Sequence, residues 1–84
     1  MAFDVENLSW VKQLPRFGDE EQKVLLALSD ERYKWRTTKG IVATTGLDKN
    51  QVEETLATLI QDGFVRPSFS RNRELIYGLV ERID

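Results

Sequence analysis

Basic side chains are the residues of this sequence with the clearest capacity for chemistry, and they are concentrated in two short stretches. Residues 32–39 carry four basic residues and no acidic one, and residues 66–74 carry three arginines against one glutamate. The rest of the chain is acidic, so that the formal net charge is −2. Clustered lysines and arginines attract phosphate groups. The two stretches therefore favour an anionic partner more than the total charge does.

The sequence lacks the side chains on which most catalytic and metal sites depend. It contains no histidine and no cysteine, which removes Ser-His-Asp triads, thiolate zinc sites and disulfides. Glu20 and Glu21 are neighbouring carboxylates, but they fall in the first turn of a predicted helix, where acidic residues stabilise the helix dipole. We therefore predict a protein that is not an enzyme and that uses no cofactor, metal or small-molecule substrate.

The length and the apolar runs indicate a small globular domain. A chain of 84 residues is enough for one such domain and leaves little volume for a deep cleft. The longest apolar runs, such as residues 24–28, are too short to cross a membrane. The acidic N-terminus lacks the basic and apolar regions of a signal peptide. The sequence thus predicts a cytoplasmic location without membrane contact.

An extra helix is predicted at the N-terminus, over residues 4–14. Leu8, Val11 and Leu14 lie at helical spacing with Trp10 beside them, and Pro15 ends the helix. This apolar stripe either binds a protein partner or a second copy of the chain, or packs against the core of the same chain. We expect a helical extension at residues 1–18 and the main domain at residues 19–84.

Two further helices are expected before the middle of the chain. Asp19, with Gln22 three positions later, is predicted to cap a helix that ends at residues 29–30. Thr37 or Thr38 is predicted to cap a short helix that ends before Gly46, because glycine readily adopts the left-handed conformation of a helix terminus.

A short strand is predicted at residues 32–36, where basic and aromatic residues alternate. Tyr33 and Trp35 would share one face of this strand and the basic residues the other. Trp35 is expected in the core, since a small domain needs its large apolar side chains, and stacking on nucleic-acid bases is the alternative. The basic side chains either bind nucleic acid or pair with acidic residues of the first helices.

The second half of the chain has a distinctive order of elements. Gly46 permits a tight turn, Asp48 restarts the chain as a helix, and Gly63 ends that helix. Residues 64–80 follow as two strands that form a hairpin. The pattern is carried by Trp-Arg-Thr at 35–37, Ile-Val-Ala at 41–43, Thr-Gly-Leu-Asp at 45–48, the helix at 51–61, Asp-Gly-Phe-Val-Arg at 62–66 and Glu-Leu-Ile-Tyr-Gly-Leu at 74–79.

Over residues 35–80 this order resembles the winged helix-turn-helix superfamily of bacterial DNA-binding domains. The resemblance covers just over half of the chain. It implies that residues 19–84 form a winged helix domain, an α+β fold with a three-helix core and a β-hairpin wing, preceded in this chain by the extra N-terminal helix.

The resemblance also implies a module of the kind found in transcription regulators, which reads duplex DNA through helix 48–62 and the wing at 64–80. Amide and lysine side chains on such a helix can bind base edges, and arginines of a wing can bind phosphates. The start of the preceding helix offers backbone N–H groups to a phosphate. The residues implied in DNA contact are Thr38, Lys39, Lys49, Asn50, Gln51, Glu54, Arg66, Arg71 and Arg73.

Acidic residues on the same helix support a second interpretation. Glu53 and Glu54 stand where related helices commonly carry basic or small polar residues, and carboxylates repel phosphates. A glutamate can accept a hydrogen bond from cytosine, so the pair does not exclude base recognition. The alternative is a protein-interaction or regulatory winged-helix module of a larger protein, with little or no DNA binding.

Overall fold

The computed structural model describes residues 13–83, with only the backbone described at Leu14. Residues 4–12 of the predicted helix 4–14, with its apolar residues Leu8, Trp10 and Val11, lie outside this range, so their role as an interface stays a prediction. A 3-10 turn over Leu14–Arg16 opens the described chain. No helix in the described part is long and apolar enough to span a membrane.

The described helices and strands form an α+β fold. The helices are α1 (Asp19–Leu28), α2 (Thr38–Thr45), α3 (Lys49–Gln61) and the short α4 (Val80–Ile83), and the strands are β1 (Arg36–Thr37), β2 (Val65–Phe69) and β3 (Leu75–Leu79). The strands form one antiparallel sheet in the order β1-β3-β2. The predicted three-helix core and hairpin are confirmed.

The start of α1 differs by one residue from the prediction. Gly18, rather than Asp19, is the N-cap residue, and its N–H donates to the Glu21 carboxylate at 3.3 Å. The Gln22 amide instead donates to the backbone oxygen of Phe17 at 2.8 Å. Asp19 becomes the first helical residue, where its charge still favours the positive end of the helix dipole.

A tight turn joins α2 to α3, as predicted. The Thr37 hydroxyl caps α2 by accepting from the Gly40 N–H at 3.0 Å. Gly46 ends α2 with φ at +77°, a left-handed conformation that favours glycine. Leu47 then packs against the core from between the two helices. The arrangement is a helix-turn-helix.

The helix α3 is fixed at both ends by local hydrogen bonds. Asp48 accepts from the Gln51 N–H at 2.8 Å, and the Gln51 side chain accepts from the Asp48 N–H at 3.1 Å, which together make the predicted capping box. Gly63 has φ at +86°, and the Phe64 N–H reaches back to the Leu59 oxygen at 3.0 Å. The chain leaves the helix here in the direction of β2.

The core lies between α1, α2, α3 and one face of the β2–β3 hairpin. We call this the inner face of the hairpin, because it carries the buried side chains of both strands. Thr55, a residue that the apolar pattern does not mark, is also buried. The buried apolar residues are Phe17, Val24, Leu25, Ala27, Leu28, Ile41, Val52, Leu56, Leu59, Val65, Tyr77 and Leu79.

The strand predicted at 32–36 is wrong for all but its last residue. Only Arg36 and Thr37 pair with β3, and the residues before them form turns and bends. The Arg82 guanidinium of α4, far away in the sequence, holds this loop by donating to backbone oxygens just before and within the segment. Its acceptors include the oxygens of Asp30, Glu31 (2.8 Å) and Tyr33 (2.7 Å).

Candidate nucleic-acid interface

One flank of α3 forms a groove with the start of α2 and with strand β3. We call it the hairpin groove, and it has a volume of about 490 Å³. Three of the predicted DNA-contact residues, Thr38, Lys39 and Lys49, line it together. The remaining lining residues are Val42, Glu53, Glu74, Leu75 and Tyr77.

The first turn of α3 places Lys49 and Asn50 in solvent. The Lys49 ammonium lies 3.9 Å from the Glu53 carboxylate, one helical turn away, and 76% of the Lys49 side chain is exposed. Exposed pairs of this kind contribute about 0–1 kcal/mol. The lysine can therefore exchange this partner for a phosphate at little cost.

The side chain of Gln51 is already engaged at both ends. Its oxygen accepts from the Asp48 N–H, and its nitrogen donates to the Glu20 carboxylate at 3.1 Å. These hydrogen bonds tie the start of α3 to the start of α1. Contact with a base would require Gln51 to give up at least one of them.

The tip of the hairpin carries Arg71 and Arg73, and both side chains are exposed. The Arg73 N–H donates to the Ser70 oxygen at 2.9 Å, and the Ser70 N–H donates to the Glu74 oxygen at 2.9 Å. Arg73 has φ at +61°, the only positive value at a non-glycine residue in the described chain. Glycine is the residue normally found at this position of such a loop.

Comparison with solved structures identifies this arrangement. The described fold is similar to a structure of BpsR from Bordetella bronchiseptica, at a TM-score of 0.68 and 18% sequence identity, over 79% of this chain and 47% of that chain. This chain therefore matches about half of the BpsR chain. The fold is a winged helix. No family model and no curated protein matches the sequence.

The other flank of α3 in the winged helix faces the start of α1 and is acidic. Glu54 lines a second groove there, of about 400 Å³, which we call the acidic groove. Glu54 is thus directed away from the hairpin groove and from Lys49. The described residues contain no group of three or more acidic side chains that could hold a metal ion. The full lining of the acidic groove is Gly18, Asp19, Glu20, Glu21, Glu54, Thr55 and Thr58.

Arg66 lies on the opposite side of the wing from the hairpin groove. It follows the buried Val65 in β2 and pairs in register with Gly78. Because side chains alternate along a strand, Arg66 belongs to the outer face of the sheet. The structure therefore does not bring Arg66 together with Lys39 and Lys49.

The basic stretch at 32–39 contributes one residue, Lys39, to the hairpin groove. Arg32 instead binds the Asp30 carboxylate at 2.9 Å and 3.2 Å. The hydrogen bonds from the Arg32 side chain and backbone lower the pKa of Asp30 to about 2. The guanidinium groups of Arg32 and Arg36 lie 5.4 and 4.9 Å from the centre of the Tyr33 ring. These contacts use much of the stretch within the protein itself.

The apolar residues of the hairpin groove were missed at the sequence level. Tyr77 belongs to the core at 7% exposure, and Val42 packs against it, so both line the floor of the groove. Leu75 shares a face with Tyr77 and Leu79 but lies beyond the helices, so that 40% of it is exposed. The alternation of Leu75, Tyr77 and Leu79 does predict their common face. That Leu75, the outermost of the three, is exposed depends on the length of the wing relative to α3, which the sequence pattern does not give.

Proposed function

We propose that this winged helix binds duplex DNA, with the first turn of α3 in the major groove and the wing tip against the neighbouring backbone. The observation that carries the proposal is the placement of Lys39 and Lys49 in one groove, beside a wing that ends in Arg71 and Arg73. BpsR, a protein of similar fold, is described as DNA-binding, which supports the same role for this face.

The residues of the interface would then have different tasks. Asn50 is exposed on the first turn of α3 and can form two hydrogen bonds with adenine. Lys49 reaches a guanine or a phosphate, and Thr38 and Lys39 bind a phosphate at the start of α2. Arg71 and Arg73 bind the backbone beside the wing. Gln51 acts through the orientation of α3.

The remaining predicted contacts, Glu54 and Arg66, lie away from the hairpin groove. In the proposed complex Glu54 can meet a cytosine only at the margin of α3, on the side of the acidic groove. Arg66 can meet only a backbone segment that passes around the outer face of the wing. We therefore expect substitutions at these two positions to weaken DNA binding less than substitutions at Lys49 or Arg73.

A salt series tests the proposal directly. If Lys39, Lys49, Arg71 and Arg73 each neutralise one phosphate, the slope of log affinity against log salt should be about −3.6. Loss of one of these contacts should make the slope shallower by about one. Lys49→Ala should show this smaller slope. Lys23→Ala removes the same charge from an exposed position on α1 that lines neither groove, and it should leave the slope unchanged. Absence of binding at low salt would refute the proposal.

The acidic groove favours a second function, the binding of a protein with a basic segment. Four carboxylates line it, from Asp19, Glu20, Glu21 and Glu54. A partner that co-purifies with the domain, and that is lost when Glu54 of the acidic groove is changed to lysine, would support this role. If Glu53→Lys, which alters the hairpin groove instead, gains affinity for DNA and no partner is lost with Glu54→Lys, duplex binding is the better assignment.

A further inference from the structure

The wing carries two apolar side chains that no part of the described protein covers well. Phe69 is 69% exposed and Leu75 is 40% exposed. They face each other in register across β2 and β3. Ser70 and Glu74 form the adjacent hydrogen-bonded pair, so Phe69 and Leu75 form a non-hydrogen-bonded pair, in which side chains lie closer together. We call this pair the apolar platform.

The platform continues the inner face of the wing beyond the core. Leu75 lies two residues from the buried Tyr77, and Phe69 lies four residues from the buried Val65. Side chains at these spacings share one face of a strand. The platform therefore faces the same side as α3, and Leu75 lines the hairpin groove with Lys39 and Lys49.

Cations lie on two sides of this apolar surface, together with the Glu53 and Glu74 carboxylates of the groove. Lys39 and Lys49 stand across the groove, and Arg71 and Arg73 follow at the wing tip. A matching partner has a flat apolar surface bordered by negative charge. Nucleic acid has both features, since the faces of its bases are apolar and its backbone carries the phosphates.

A regular duplex cannot offer the matching surface, because its base faces are covered by stacking and only base edges reach the grooves. A base face becomes accessible where a base is unpaired and unstacked. We propose that the apolar platform stacks on an unpaired base at the edge of the bound duplex, as at a fork between paired and single-stranded DNA. This inference rests on the proposed duplex binding and adds a preference for a junction.

The test compares a fully paired duplex with a forked duplex of the same strand lengths, by fluorescence anisotropy at one salt concentration. Stacking of one base on an aromatic side chain predicts that the fork binds about fivefold tighter or more. Phe69→Ala should remove this preference and leave affinity for the paired duplex nearly unchanged, whereas Phe69→Trp should keep it. Leu26→Ala removes another exposed apolar side chain, 56% exposed on α1, and should retain the preference.

The outcomes separate this inference from the proposed function. Equal affinity for the two DNAs, or a fork preference that survives Phe69→Ala, overturns the role of the platform and leaves duplex binding intact. Binding to neither DNA at low salt overturns both. Sedimentation at assay concentration tests a third possibility. If the wild-type protein is a dimer and Phe69→Ala is a monomer, a second copy of the chain occupies the platform, and the inference is overturned.

Discussion

Replacing Arg73 with glycine should stabilise the domain and weaken its binding to DNA. Arg73 has φ at +61°, and the left-handed conformation costs a non-glycine residue about 1–2 kcal/mol. Glycine does not incur this strain but loses about 0.5–1 kcal/mol more backbone entropy on folding. The difference predicts a gain in the free energy of unfolding of about 0.5–1 kcal/mol, or about 2–8 °C in Tm for a domain of this size.

The opposite effect on binding follows from the position of Arg73 at the exposed wing tip. Loss of its charge should reduce the salt slope by about one, as for any removed phosphate contact. Urea unfolding and calorimetry measure the first effect, and anisotropy of labelled duplex DNA across a salt series measures the second. Strained residues are concentrated at functional sites, and this pair of measurements asks whether Arg73 is one of them.

Two variants serve as controls for Arg73→Gly. Arg71→Gly removes the same charge two residues earlier, where the backbone is not left-handed, so binding should weaken without any gain in stability. Arg73→Ala keeps the strain and loses the charge, so it should also weaken binding without a gain. Destabilisation by Arg73→Gly, or an unchanged salt slope, would refute the reasoning.

Three further substitutions test contacts that hold strand β3 and the loop after α1 in place. Gly78→Ala should cost about 1–3 kcal/mol in urea unfolding, because the added Cβ would lie 2.9 Å from the Lys34 oxygen; an unchanged midpoint would contradict this. Arg82→Met should lower the free energy of unfolding by about 1.5–3 kcal/mol, since it removes the charged donor to the loop after α1. An unchanged free energy of unfolding would show that the loop does not depend on Arg82. Asp30 has a pKa lowered to about 2 by Arg32, so its stabilising contribution is complete above its ordinary pKa and is lost as the pH falls through about 2. Arg32→Ala should move the NMR titration midpoint of Asp30 towards 3.8, and a wild-type midpoint already there would contradict the hydrogen bonds.

Most of the fold could be predicted because its boundaries depend on local chemistry. Thr37 and Asp48 start helices through their own side chains, and Gly46 and Gly63 end them with left-handed backbones. Pro67 marks an edge strand because it has no N–H to donate, and β2 is at the edge of the sheet. Such signals are readable within a few residues.

The errors arose where distant residues determine the backbone. The alternating residues at 32–36 have the period of a strand, but Arg82 binds the backbone oxygens of Asp30, Glu31 and Tyr33 from about fifty residues away and holds this stretch as a loop. The one-residue shift at Gly18 shows a milder limit, because a glycine cap leaves no side-chain signal. The sequence predicts strands up to residue 80 and no element after them, so helix α4 is not anticipated. Four residues are too few to show a helical period.

The candidate site was predicted less completely than the fold. Lys39 and Lys49 do converge on one groove, as a helix-turn-helix requires. The opposite flanks of Glu54 and Arg66 depend on the rotation of α3 and on the strand register, which a spacing pattern alone does not fix. The exposure of Phe69 depends on how far the wing extends past the helices.

The most direct measurement is an amide NMR titration of the isotope-labelled protein with duplex DNA at low salt. We expect chemical-shift changes to be concentrated at Thr38, Lys39, Lys49, Asn50 and the wing-tip residues 71–73. Residues 19–21 of the acidic groove should change little. A spectrum that does not change, or changes confined to the acidic groove, would contradict DNA binding by this face of the winged helix.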